Sequence, residues 1–156
     1  MTISSATPST FTLTSVAFRD GGAIPTVFTC DGLDQSPPLA WQGAPAGTGA
    51  FALLVTDPDA HGFVHWVAVD IPGSSSGLAE GASRAGAAGR EGRNDFGRTG
   101  WGGPCPPRGV HRYVFQLWAL REPLGLAGAP TASALRAALP GHMLGEARLT
   151  GTYRRG

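Results

Sequence analysis

The sequence predicts a mainly β, antiparallel domain with a small helical appendage near its C-terminus. Apolar runs of strand length recur along the 156 residues, and 24 glycines and 13 prolines punctuate them as turns rather than diluting them into disorder. Only one segment, Thr131 to Leu139, has helical character. The length is near the usual size for one hydrophobic core. Residues 11–156 are therefore expected as a single domain behind a flexible segment, 1–10.

The elements run in chain order. Phe11 to Phe18 alternates roughly and meets Asp20-Gly21-Gly22, a strand ending in a turn. Val27 to Cys30 runs into Asp31-Gly32, another turn. Leu39 to Trp41 is a short apolar unit, and Phe51 to Thr56 is a continuous apolar run of the length and character of a strand buried on both faces. His65 to Ile71 alternates, with His65, Val67, Val69 and Ile71 expected on one face and Trp66, Ala68 and Asp70 on the other. Ser74 to Pro107 has almost no periodicity and is too long for a passive connection, so a packed functional loop is expected, anchored by Asn94 to Gly97 and Trp101.

The clearest strand is His111 to Leu120. His111, Tyr113, Phe115, Leu117 and Ala119 share one face, and Arg112, Val114, Gln116, Trp118 and Leu120 the other. The first row turns from apolar to hydrogen-bonding at its His111 end, as the wall of a pocket at the rim of a core would. Thr131 opens the helix and Pro140-Gly141 closes it, with a further turn expected over His142 to Glu146 and a last strand over Ala147 to Tyr153.

Composition excludes several function classes. The formal net charge is +1, from 12 basic and 11 acidic residues without a charge block, so there is no basic stripe for nucleic acid or an anionic membrane. All the basic residues are arginine, which removes Schiff-base chemistry and the phosphate-loop lysine. No window approaches the roughly 20 apolar residues needed to cross a bilayer. Met1 to Thr10 has no secretory pattern, so a soluble cytoplasmic protein is expected. Cys30 and Cys105 are the only cysteines. Reduced, structural thiols are the favoured state, with a bridge as the alternative.

Chemistry concentrates in two segments. Asp57-Pro58-Asp59 ends an apolar run, and the extended bias before proline lets both carboxylates point to one side. A solvated turn is the bland alternative. His65 and His111 each begin a strand beside a glycine- or proline-rich loop, a position shared by ligand-binding and by satisfied core histidines. Gly102 and Gly103 permit backbone N–H groups to approach an anion, while Pro104, Pro106 and Pro107 stiffen the loop; the same residues also simply shape turns. No metal-binding or nucleophile motif is present, so neither a metal nor a cofactor is expected.

Taken together, Phe28 to Gly32, Ser36 to Trp41, Thr56 to Ala60, His65-Trp66, Gly92 to Gly97, Gly103 to Pro107, His111 to Tyr113 and Leu149 to Tyr153 run nearly end to end along the chain. In these segments the sequence resembles the phosphatidylethanolamine-binding protein family, also called Raf kinase inhibitor-like proteins, and in particular its small bacterial YbhB/YbcL branch. The resemblance implies a large antiparallel sheet packed on a smaller one, with short C-terminal helices. It also implies a pocket for phosphate-type anions, including phospholipid headgroups, at Asp57, Asp59, His65, Gly103, Pro104, His111 and Tyr113. A homodimer is implied as well. His61 departs from the family pattern, which usually has proline after Asp-Pro-Asp-Ala.

The leading expectation is a non-catalytic binding protein for a small anionic or zwitterionic phosphate-type ligand, with His65, His111 and Tyr113 donating and Asp57 and Asp59 orienting the imidazoles. Two alternatives stand beside it. One is phosphoester hydrolysis through an Asp–His or metal-assisted site; the other is a regulatory contact with a protein partner, which the family name suggests but a fold does not fix.

Overall fold

A computed structural model describes residues 10–156; most of the expected flexible segment, 1–10, lies outside the described residues. Two antiparallel sheets form the domain. The smaller joins β1 (Thr12–Thr14), β2 (Leu39–Gln42) and β5 (Gly77–Leu78) in the order β1-β2-β5. The larger joins β3 (Ala50–Asp57), β4 (Phe63–Pro72), β6 (Arg90–Glu91), β7 (Gly109–Leu120) and β8 (Met143–Arg155) in the order β6-β4-β3-β7-β8. A single helix, α1 (Ala132–Ala138), is the only α-helix among the described residues.

Strand β3 is central, and every one of its residues is buried. Phe51, Leu53 and Val55 point to the smaller sheet, where they join Leu39, Trp41, Phe115 and Leu117 in the main core. Ala52 and Leu54 point the other way and pack with Val67, Val69, Trp118, Leu135 and Leu139 beneath α1. Covering both faces is what a continuous apolar strand requires. Burying a leucine or phenylalanine side chain contributes about 1.5–3 kcal/mol, so this strand anchors both layers.

On β7 the alternation holds: Tyr113, Phe115, Leu117 and Ala119 lie in the main core, and Trp118 and Leu120 under the helix. On β4 it does not. Val55 pairs with Trp66 and Thr56 with Val64, which leaves His65 as an extra residue in a bulge. A second irregularity near Asp70 (φ 56°) shifts the register again before Ile71. Each bulge exchanges the faces of the strand residues beyond it. Trp66, Ala68 and Ile71 therefore share the main core, while Val67 and Val69 face α1, correcting the grouping expected from simple alternation.

Helix α1 is capped by Thr131, whose Oγ1 accepts from the Ala134 N–H at 3.1 Å. Instead of a further turn after Pro140-Gly141, β8 begins at Met143, opposite Leu120. The long β7 leaves its last N–H and C=O groups in need of partners, and pairing with β8 supplies them. Thr26–Phe28 forms a single 3-10 turn, and the strand expected over Phe11 to Phe18 shortens to Thr12–Thr14. Cys30 and Cys105 form a disulfide across 75 residues of sequence, which corrects the expectation of reduced thiols. Among the described residues no helix is long and apolar enough to cross a membrane.

Candidate functional site

The end of β3, the bulge in β4 and the start of β7 meet at one rim of the main core. There they enclose a cavity of about 210 Å³. That is smaller than the roughly 300 Å³ at which sites for drug-sized ligands begin, so it suits a small group. Asp57, His65, His111 and Tyr113 supply its polar wall. Phe63, Phe96, Pro106 and Pro107 supply most of its apolar wall, and the bridged Cys105 closes one side.

Asp57 is the last residue of β3 and caps the short turn Pro58–Ala60, its Oδ1 accepting from the Asp59 N–H at 2.8 Å. Its other oxygen, Oδ2, lies 2.6 Å from His111 Nδ1. The pair is largely shielded, with side-chain exposures of 4% for Asp57 and 15% for His111. The carboxylate fixes the imidazole in one orientation with Nδ1–H toward it, which leaves Nε2 as the free ring nitrogen.

His65 reaches the cavity because of the β4 bulge, which turns it to the same side as Trp66 and toward Tyr113. Its Nδ1 donates to the Gly102 carbonyl at 2.6 Å. The ring stands 5.1 Å from Phe63, 5.4 Å from Phe96 and edge-on to Tyr113 at 5.1 Å. Burial, only partly opposed by the Gly102 hydrogen bond and nearby carboxylates, pushes the imidazole below its ordinary pKa and keeps it neutral.

Tyr113 is 1% exposed, and its hydroxyl has no hydrogen-bond partner among the described residues. Burial, reinforced by the charges of Asp57 and Asp59, pushes the phenol above the ordinary tyrosine range, so it remains an O–H. A buried polar group left unpaired costs about 1–3 kcal/mol.

The remaining residues of the expected site lie elsewhere. Asp59 turns outward, where its carboxylate accepts from Arg112: the backbone N–H at 2.8 Å and the guanidinium Nε and Nη2 at 3.1 Å each. These bonds hold its carboxyl below the usual range. Gly103 and Pro104 do not line the cavity; the Gly103 N–H is taken by Asp34 Oδ1 at 2.8 Å and the Gly102 N–H by the His65 carbonyl at 2.9 Å. The expected backbone cradle for an anion is therefore already occupied by protein acceptors. Gly103 is needed for packing, since a Cβ there would sit 2.3 Å from the Phe28 carbonyl oxygen. His61 adopts a left-handed conformation (φ 56°) and is exposed, ending the Pro58–Ala60 turn.

Phe63 and Phe96 belong to the cavity although the sequence does not mark them as site residues. Phe96 is held by a tight turn in which Asn94 Oδ1 accepts from the N–H groups of Phe96 and Arg98, at 2.9 and 3.2 Å. The Asn-Asp-Phe-Gly pattern carries that signal. Phe63, two residues before His65, carries none beyond its apolar character. Among the described residues, no group of three or more His, Cys, Asp or Glu side chains is arranged to hold a metal ion.

The fold agrees with the comparisons. The family profile described as phosphatidylethanolamine-binding protein matches residues 14–154. A UPF0098 protein of Methanothermobacter thermautotrophicus is 48% identical over 145 residues, covering 90% of this chain and 96% of that protein. The crystal structure of a phosphatidylethanolamine-binding protein homologue from Chlamydia trachomatis superposes with a TM-score of 0.89 at 34% identity, covering 95% of this chain and 99% of that one. That of Escherichia coli YbcL, described as a member of the mammalian PEBP family, gives a TM-score of 0.86 at 33% identity, covering 94% and 99%. The chain belongs to the phosphatidylethanolamine-binding protein family.

Proposed function

We propose that this protein is a non-catalytic binding protein that holds a small phosphate-type anion in the cavity between Asp57, His65, His111 and Tyr113. The observation that carries the reading is the Asp57–His111 pair, which lies on the cavity wall beside the unpartnered Tyr113 hydroxyl. Asp57 orients His111 so that Nε2 addresses the cavity, and a charged imidazole there gives a charge-assisted hydrogen bond to an oxyanion. Asp59, Gly103 and Pro104 act at one remove. Asp59 ties the Pro58–Ala60 turn to β7 through Arg112, and Gly103 packs the proline loop against the Phe28 to Asp34 segment.

The polar wall supports binding rather than turnover. Asp57 fixes His111 and the Gly102 carbonyl fixes His65, and the sulfur on the wall belongs to the disulfide, so the wall offers no thiol nucleophile. The apolar remainder, Phe63, Phe96, Pro106 and Pro107, suits the non-polar part of a ligand whose head is the anion. The Cys30–Cys105 bridge also weighs toward an oxidising compartment rather than the cytoplasm expected from the sequence.

Titration of the protein with inorganic phosphate, followed by NMR of the histidine and tyrosine side chains, tests the reading. Saturable shifts at His65, His111 and Tyr113 are expected; shifts confined to surface arginines would contradict it.

A further inference from the structure

We propose that the Cys30–Cys105 bridge is a reversible redox site of the folded protein. A dithiol reductant enters it at Cys30, and Cys105 leaves as a thiolate stabilised by Arg155.

Access and charge set the direction. Cys30 is exposed, whereas Cys105 is half-buried in the proline loop, between the buried Pro104 and Pro106. Exchange requires the attacking thiolate to reach one of the two sulfurs, and it runs faster when the sulfur that leaves has the lower thiol pKa. Arg155 Nη1 lies 3.3 Å from the Cys105 sulfur. A guanidinium beside a sulfur favours its thiolate, so Cys105 is the better leaving group as well as the less accessible target.

Asp31, next to Cys30 in the chain, would by itself repel an incoming thiolate. Its charge is countered: Oδ1 faces Arg155 Nη2 at 3.1 Å, and Oδ2 accepts from the Tyr153 hydroxyl at 2.7 Å. One guanidinium thus screens the carboxylate at the point of entry and receives the charge at the point of exit.

Exchange does not require the chain to unfold. Hydrogen bonds join the two segments that carry the cysteines independently of the bridge. The Cys30 N–H donates to the Pro104 carbonyl at 3.1 Å, the Gly103 N–H to Asp34 Oδ1 at 2.8 Å, and the Trp101 Nε1–H to the Phe28 carbonyl at 3.2 Å. These contacts hold the segments together when the sulfur–sulfur bond opens, and keep both thiols placed for closing it again.

The step balances. A thiolate of the dithiol bonds to Cys30 Sγ, and the electron pair of the Sγ–Sγ bond leaves on Cys105. The second thiolate of the reductant then attacks the reductant's own sulfur in this mixed disulfide and releases Cys30. Two electrons pass from the dithiol, which becomes a disulfide, to the bridge, and its two protons end on the cysteines. The freed Cys105 sulfur lies on the cavity wall, which then carries a thiol that the oxidised protein lacks.

The test follows opening of the bridge by dithiothreitol in the wild-type protein, at urea concentrations below the unfolding transition, with alkylation and mass spectrometry as the readout. A rate nearly independent of urea is expected. One that rises in step with the unfolded fraction overturns the proposal. Arg155→Met is expected to open at least about threefold more slowly, and Arg155→Lys, which keeps the charge, at close to the wild-type rate. An unchanged rate in Arg155→Met, or equal slowing in Arg155→Lys, overturns the role of Arg155. Brief treatment with excess glutathione, stopped by acid, is expected to leave the adduct on Cys30. An adduct mainly on Cys105, or on neither cysteine, overturns entry at Cys30.

Discussion

His111 Nδ1 and Asp57 Oδ2 lie 2.6 Å apart, joining the end of the central strand β3 to the start of β7 at the wall of the cavity. The next contact along the same seam, between Asp59 and Arg112, points outward to solvent. One seam thus carries an inward pair that presents an imidazole and an outward pair that closes the turn. The alternation of β7 separates them, since His111 and Arg112 face opposite ways.

Removing the inward partner tests how far the seam depends on it. Asp57→Ala removes the acceptor of His111 and of the Asp59 N–H together. The variant is expected to lose about 1–3 kcal/mol of stability in equilibrium urea unfolding. Wild-type stability would show that the pair does not support the rim.

The neutral state of His65 makes a signed prediction for acid. Its pKa is lowered in the fold, so the unfolded chain binds the proton first as pH drops. The contribution of His65 to stability is complete above the ordinary histidine value of about 6.5 and is lost as pH falls through the lower folded value. Side-chain NMR should therefore place the His65 midpoint below that of a free histidine. A midpoint at or above it would show that the ring is not desolvated as described.

The disulfide closes a long loop between the Phe28 to Asp34 segment and the cavity's proline loop. By the chain-entropy account, opening a loop of this length costs about 4 kcal/mol. The double variant Cys30→Ala, Cys105→Ala is expected to unfold at correspondingly lower denaturant. An unchanged midpoint would mean that the bridge restrains neither state.

Gly103 offers a test of packing without any change of charge. Its missing side chain lets the loop lie against the Phe28 carbonyl and Asp34, and a methyl group there has no room. Gly103→Ala is expected to cost about 1–3 kcal/mol, the usual range for overpacking, measured by thermal or urea unfolding. A neutral result would mean that the loop can shift freely.

How much of the fold is legible in the sequence depends on how local each cause is. The core position of β3 comes from a continuous apolar run, the two faces of β7 from unbroken alternation and α1 from a capped, proline-terminated segment, so all are legible. The bulge at His65 leaves no mark in a sequence, because it is set by which residues β3 offers as partners. Simple alternation therefore groups His65 with Val67, although the fold turns them to opposite sides. The outward turn of Asp59 and the commitment of the Gly103 N–H to Asp34 are hidden for the same reason: their partners, Arg112 and Asp34, are distant in the chain. Two cysteines 75 residues apart likewise carry no local sign of pairing.

The central claim is that His111, oriented by Asp57, holds an oxyanion in the cavity. Isothermal calorimetry of inorganic phosphate with the wild-type protein and with His111→Ala measures it directly. Loss of at least about 1.5 kcal/mol of binding free energy in the variant, the lower end for a hydrogen bond to a charged group, is the predicted result. Equal affinity in the two proteins would contradict the account.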